Sequence, residues 1–94
     1  MSMKIEKKVQ ARYFKHILEG KKPFEVRLAN FKCKPGDRLV LSEQKQGTKK
    51  LTGRRVELEV LYKFHSKEML KWHTQEEINK YGFVVLGIRR KYRY

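Results

Sequence analysis

The sequence predicts an α+β domain that is mainly β: a small barrel with two or three short helices. Three observations carry this. Residues 54–64 alternate in character along their length, the signature of a half-buried strand. The other apolar segments are short and separated by Gly, Pro and polar turn signals, and helical periodicity is confined to brief stretches. The chain has 94 residues, one domain's length, and short antiparallel strands in so small a chain are best protected by closing the sheet, which removes exposed edges. The domain is expected to span residues 1–94, with a core over about 4–88 and a basic tail at 89–94.

The elements follow in order. Residues 4–8 read as a first strand. In Gln10 to Glu19, the apolar Tyr13, Phe14, Ile17 and Leu18 share one helical face, and Gly20 stands where a helix ends on a glycine of positive φ. Lys21 and Lys22 follow at the end that favours positive charge. Phe24 to Leu28 alternates apolar and charged residues and reads as a strand, and Pro35-Gly36 suits a type II turn. Arg38 to Glu43 reads as a strand, Gln44 to Gly53 as a hairpin connection, and Arg54 to Phe64 as the longest strand, with Val56, Leu58, Val60, Tyr62 and Phe64 on one face. Ser66 is positioned to cap a short helix ending near Lys71. Thr74-Gln75-Glu76-Glu77 is a capping box for a helix that Gly82 closes, and Phe83 to Ile88 reads as a buried strand.

Charge narrows the function classes. Lys and Arg number 24 against 10 Asp and Glu, a formal net charge of +14. Such a surplus costs stability through self-repulsion and points to an anionic partner, nucleic acid above all. Hydrophobic residues at 39% are enough for a folded core, which argues against a disordered basic tail. The lone Cys33 has no partner for a disulfide, the start of the chain has no signal-peptide core, and no apolar run is long enough for a membrane span. The expected location is therefore cytoplasmic, with no membrane association. His16, His65 and His73 lack the spacing and cysteine partners of a zinc site, so neither a metal nor a cofactor is expected.

The positive charge falls in separate segments. Lys4 to Lys22 holds seven bases against two acids, Lys45 to Arg55 five bases and no acid, and the tail from Arg89 and Arg90 to Tyr94 four bases with two Tyr. Bases of this kind contact phosphates, and aromatic rings stack on nucleobases. Arg54, Arg55, Arg89 and Arg90 are candidate phosphate contacts. The segment Gly20 to Arg27 differs, because it sets an acid among bases. Glu25 and Arg27 are two residues apart, on one face of an extended chain, next to Lys21 and Lys22. They form either a seat for an anionic ligand, with Glu25 accepting from a base or ribose, or an ordinary surface ion-pair set.

This segment carries a family resemblance. An apolar helix, then G-x-K-x-x-E-x-R, then a G-D turn leading a strand, resembles the ASCH domain, a PUA-like small β-barrel; Gly20, Lys22, Glu25, Arg27, Gly36 and Asp37 match. The form F-E-V-R, the later Thr52-Gly53-Arg54-Arg55-Val56 and the final Gly82 to Ile88 are similar to a compact ASCH-related subfamily of uncharacterised proteins, over about residues 9–88. The resemblance implies a barrel with a cleft beside the helix–strand corner, where the superfamily is proposed to bind RNA. It thus implies an RNA- or nucleotide-binding module, with Lys21, Lys22, Glu25 and Arg27 in the cleft. Some bacterial members are amidohydrolases that deacetylate N4-acetylcytidine nucleosides with a Lys, a Thr and a later Glu. Here the Lys is Lys22, the Thr falls at Glu25, and Glu68, Glu76 and Glu77 are candidates for the later acid. A carboxylate does not replace a hydroxyl nucleophile. Lys22 and Glu25 remain candidates for acid–base hydrolysis, and ribonuclease activity is suggested for some relatives.

Overall fold

The structure is a computed structural model that describes residues 2–89. The chain divides into two compact units, Met1–Lys63 and Phe64–Tyr94.

The first unit holds strand β1 (Lys4–Gln10), helix α1 (Ala11–Leu18), strand β2 (Arg38–Gln44) and strand β3 (Leu51–Glu59). They form a mixed three-stranded sheet in the order β1-β2-β3, with β1 parallel and β3 antiparallel to β2. A parallel neighbour requires a crossover, and α1 with the chain that follows it supplies one. Helix α1 lays Phe14 against Val9 and Leu41, with Ile17, Leu39, Val56 and Leu58 around them. Phe14 and Leu41 are fully buried, each worth about 1.5–3 kcal/mol relative to an exposed side chain. The other half of the apolar helix face read from the sequence, Tyr13 and Leu18, is exposed.

Helix α1 ends in a Schellman motif. Gly20, at φ 74°, donates its N–H to the Ile17 carbonyl, and the Lys21 N–H reaches the His16 carbonyl. Pro35 and Gly36 (φ 96°) form the turn before β2, closed by the Asp37 N–H on the Lys34 carbonyl at 3.1 Å. The buried Asp37 carboxylate accepts from the backbone N–H of Met3 (2.8 Å) and of Lys34 (2.9 Å) and from Lys34 Nζ (2.8 Å). It thereby ties the start of β1 to the start of β2.

Several predicted elements end early or do not form. Residues 24–28 form no strand and join no ladder. Arg27 Nη2 instead donates to the Lys8 carbonyl at 2.6 Å, so a side chain occupies an outward group of β1 that a neighbouring strand would otherwise use. The strand expected over 54–64 runs from Leu51 to Glu59. It stops because β2 begins at Arg38, the register partner of Glu59. Val60 makes two further bonds, donating its N–H to the Asp37 carbonyl at 2.9 Å and accepting from the Gly36 N–H at 2.8 Å, after which Tyr62 and Phe64 are exposed.

The second unit holds a 3-10 helix (Ser66–Lys71) and helix α2 (Gln75–Tyr81). The 3-10 helix is capped by His65 rather than Ser66, with Nδ1 accepting from the Lys67 N–H at 3.1 Å. The α2 capping box is complete: Thr74 Oγ1 accepts from the Glu77 N–H, and a Glu77 carboxylate oxygen from the Thr74 N–H. Phe83 to Ile88 is not a buried strand. It carries no ladder and its large apolar side chains are exposed, since an apolar run becomes a strand only with a pairing partner and this unit contains none among its described residues. The described residues are thus α+β, with an open mixed sheet.

Candidate functional site

Of the residues singled out at Gly20 to Arg27, Lys22, Glu25 and Arg27 line an open pocket of about 340 Å³ in the first unit. Its wall consists of Lys8, Val9 and Gln10 at the end of β1, Tyr13 on α1, Lys22 to Arg27 in part, and Gln44 at the end of β2. The Schellman turn redirects the chain at Gly20, and the segment that follows returns to β1, where Arg27 reaches the Lys8 carbonyl. That path brings Lys22, Glu25 and Arg27 together.

Glu25 sits at the centre of the cluster. One carboxylate oxygen takes Lys22 Nζ at 2.9 Å and the other takes Arg27 Nε at 2.5 Å. Its side chain is only 14% exposed, against 18% for Lys22 and 28% for Arg27. Arg27 is fixed twice, by Glu25 and by the Lys8 carbonyl. Lys22 Nζ also lies 5.4 Å from the Tyr13 ring centre and 5.2 Å from that of Phe24, within cation–π range. With Lys8, the wall carries three cations against one carboxylate. Glu25 still has lone pairs unused, because a carboxylate offers about four acceptor sites. The arrangement is a cationic pocket with one oriented acceptor and one aromatic face.

The other predicted residues lie apart from the pocket. Lys21 is turned away, its Nζ 3.8 Å from Glu19. Arg54 lies over the Phe14 ring and 3.8 Å from Glu43, a buried acid that also accepts from Thr52 Oγ1 at 2.7 Å. Arg55 faces Glu6 at 3.9 Å. Arg89 is exposed in the second unit, and Arg90 with the rest of the tail lies outside the described residues. Of the later acids, Glu68 is in the 3-10 helix, while Glu76 and Glu77 are in the first turn of α2. Glu77 is committed to its capping box; the backbone and hydroxyl bonds of Thr74 hold its carboxyl below the ordinary range. Gly36 and Asp37 serve the turn. The bonds from Lys34 Nζ and the Met3 N–H hold the Asp37 carboxyl at about 2, against the opposing effect of its burial.

Sequence reasoning missed Lys8, Gln10, Tyr13 and Gln44. The alternation of β1, with Lys8 and Gln10 flanking the buried Val9, is a signal for the first two. Gln44 enters because the parallel register sets it opposite Gln10, and Gln10 Nε2 donates to its Oε1 at 3.1 Å. Among the described residues no group of His, Cys, Asp and Glu could hold a metal ion, and no helix is long and apolar enough to cross a membrane.

Fold and pocket together define a small α+β protein with a cationic cavity beside a helix–strand junction. Residues 5–88 match the family model described as a domain of unknown function (DUF3850), and the chain belongs to that family. No curated protein and no solved structure matches the chain.

Proposed function

We propose that the chain is an RNA- or nucleotide-binding module of the PUA-like, ASCH kind, a small β-barrel whose ligand enters the pocket formed by Lys22, Glu25 and Arg27. The observation that carries this reading is the largely buried Glu25, 14% exposed and held by two cations on the wall of an open, shallow pocket. Non-specific phosphate binding has no use for that acid. A base or ribose does, since its N–H or O–H groups need an acceptor, while Lys8 suits phosphate and Tyr13 suits stacking.

The test is fluorescence anisotropy with labelled single-stranded RNA across a potassium chloride series. Binding should be strong at low salt, with each neutralised phosphate adding about 0.7–0.9 to the log–log slope. Glu25→Ala separates the pocket from simple electrostatics by sign. The substitution raises the net charge, so a purely electrostatic binder would bind RNA more tightly. The pocket reading expects weaker binding, by roughly tenfold, the scale of one lost hydrogen bond to a charged group. Undetectable binding at low salt, or tighter binding by the variant, rejects the reading. Turnover of N4-acetylcytidine, lost in Lys22→Ala, would replace it with the hydrolase reading.

A further inference from the structure

The hairpin tip between β2 and β3 is fastened to the pocket wall. Gln10 does most of this: its Nε2 donates to the Thr48 carbonyl at 2.9 Å, and its Oε1 accepts from the Gly47 N–H at 2.7 Å. Gln46 Oε1 accepts from the Arg12 N–H at 3.0 Å, at the first turn of α1. Inside the tip, the Lys45 N–H bonds the Lys50 carbonyl, and Thr48 returns both its N–H and its hydroxyl to the Lys45 carbonyl. Gly47 takes φ 76°, which closes the turn. The loop read from sequence as a hairpin connection is therefore a hydrogen-bonded shelf whose main anchor, Gln10, also lines the pocket.

That shelf presents Lys45, Lys49 and Lys50, all exposed. No acid occurs between Gln44 and Arg55, and among the described residues none of these three lysines forms an ion pair. They differ in this from Lys22 and Arg27, whose charges are committed to Glu25. A hairpin needs Gly47 and Thr48 for its geometry; it does not need three unpaired lysines, whose mutual repulsion opposes its closure.

We infer that the ligand is single-stranded RNA that places one unstacked base in the pocket and lays its flanking phosphates on Lys45, Lys49 and Lys50. This rests on the pocket being the ligand seat. An open pocket of about 340 Å³ has room for one base, and a single strand presents an unstacked base at little cost. The shelf's rigidity spares the ordering entropy that a mobile basic loop would lose on binding.

The experiment compares labelled single-stranded RNA of about ten nucleotides with its duplex, a length within the usual range for single-strand sites. It uses the full chain, the triple variant Lys45→Gln, Lys49→Gln, Lys50→Gln, and the matching triple Lys→Arg variant. The full chain should prefer the single strand. The Gln variant should lower the log–log salt slope by about 2, three phosphates at roughly 0.7 each, and the Arg variant should keep it. An unchanged slope in the Gln variant, with Glu25→Ala still weakening binding, overturns the shelf and leaves the pocket standing. Equal or tighter binding of the duplex also overturns it. Failure of the full chain to bind single-stranded RNA at low salt removes both the pocket reading and the shelf.

Discussion

Asp37 and Glu25 stand in the same sequence motif, yet the structure gives them different work. Asp37 is buried under two backbone N–H groups and the Lys34 ammonium, all within 2.9 Å. Every one of those donors joins β1 or the turn to β2, so the acid is a structural staple. Glu25 has side-chain cations only, and a cavity in front of it. Asp37 has a consequence for pH. Its carboxyl is held at about 2 when folded, against 3.8 ordinarily. A depressed folded value means a contribution to stability that is complete above about pH 4 and is lost as pH falls from there toward 2. Acid titration followed by circular dichroism should therefore show a loss of stability in that window. Asp37→Asn keeps one acceptor oxygen but removes the charge, so it should lower Tm at pH 7 and flatten the acid response. An Asn variant with the full acid response would mean that other carboxylates govern it.

Strand β3 shows how an element is shaped by one residue. Between the pairs Ser42 with Arg55 and Gln44 with Leu51, β3 contributes more residues than β2, so Thr52, Gly53 and Arg54 form a bulge. Gly53 lies at φ 93°, and nothing stands within 4 Å of where a Cβ would be. The space is open but the conformation is strained for any L side chain, so Gly53→Ala should cost about 1–2 kcal/mol through the backbone alone, measured by urea unfolding. No change would mean that the bulge relaxes. The bulge also turns Thr52 and Arg54 toward Glu43, which is how a buried carboxylate finds partners next to Phe14. Signals of this local kind were legible in the sequence: the Gly20 helix stop, the Pro35-Gly36 turn, the Thr74 capping box, and the grouping of Lys22, Glu25 and Arg27. What was not legible depended on partners distant in sequence. Alternation in 24–28 and 60–64 marks residues able to pair, but Arg27 occupies the β1 carbonyl in one case and β2 has not begun in the other. The pocket divides the same way. Its basic and acidic residues were read directly, while Gln10 and Gln44 meet only through the parallel register of two strands separated by a helix and a long loop.

At the scale of the molecule, a small core opposes a large charge. Val9, Phe14, Val40 and Leu41 are the buried apolar residues among those described, and the chain carries +14. Two electrostatic effects of salt then compete. Screening weakens pairs such as Arg55 with Glu6 at 3.9 Å and Lys4 with Glu57 at 4.0 Å, but exposed pairs of this kind contribute about 0–1 kcal/mol each and some contribute nothing. Screening also relieves repulsion among the surplus cations, which acts over the whole surface because the Debye length is about 30 Å at 0.01 M salt and only about 8 Å at 0.15 M. With 24 bases against 10 acids, the second effect is the larger. Raising sodium chloride over that interval should therefore raise Tm by roughly 5 °C, equivalent to about 1 kcal/mol in a domain of this size. Chloride is the salt to use, because sulfate strengthens apolar burial independently of charge. If the chain binds RNA as proposed, the same interval should weaken that binding, since released counterions would drive it. Opposite responses of folding and binding to one variable are what the proposed reading expects of a surplus charge that serves a ligand at the expense of the fold. A Tm that falls with chloride would place the balance with the local ion pairs instead.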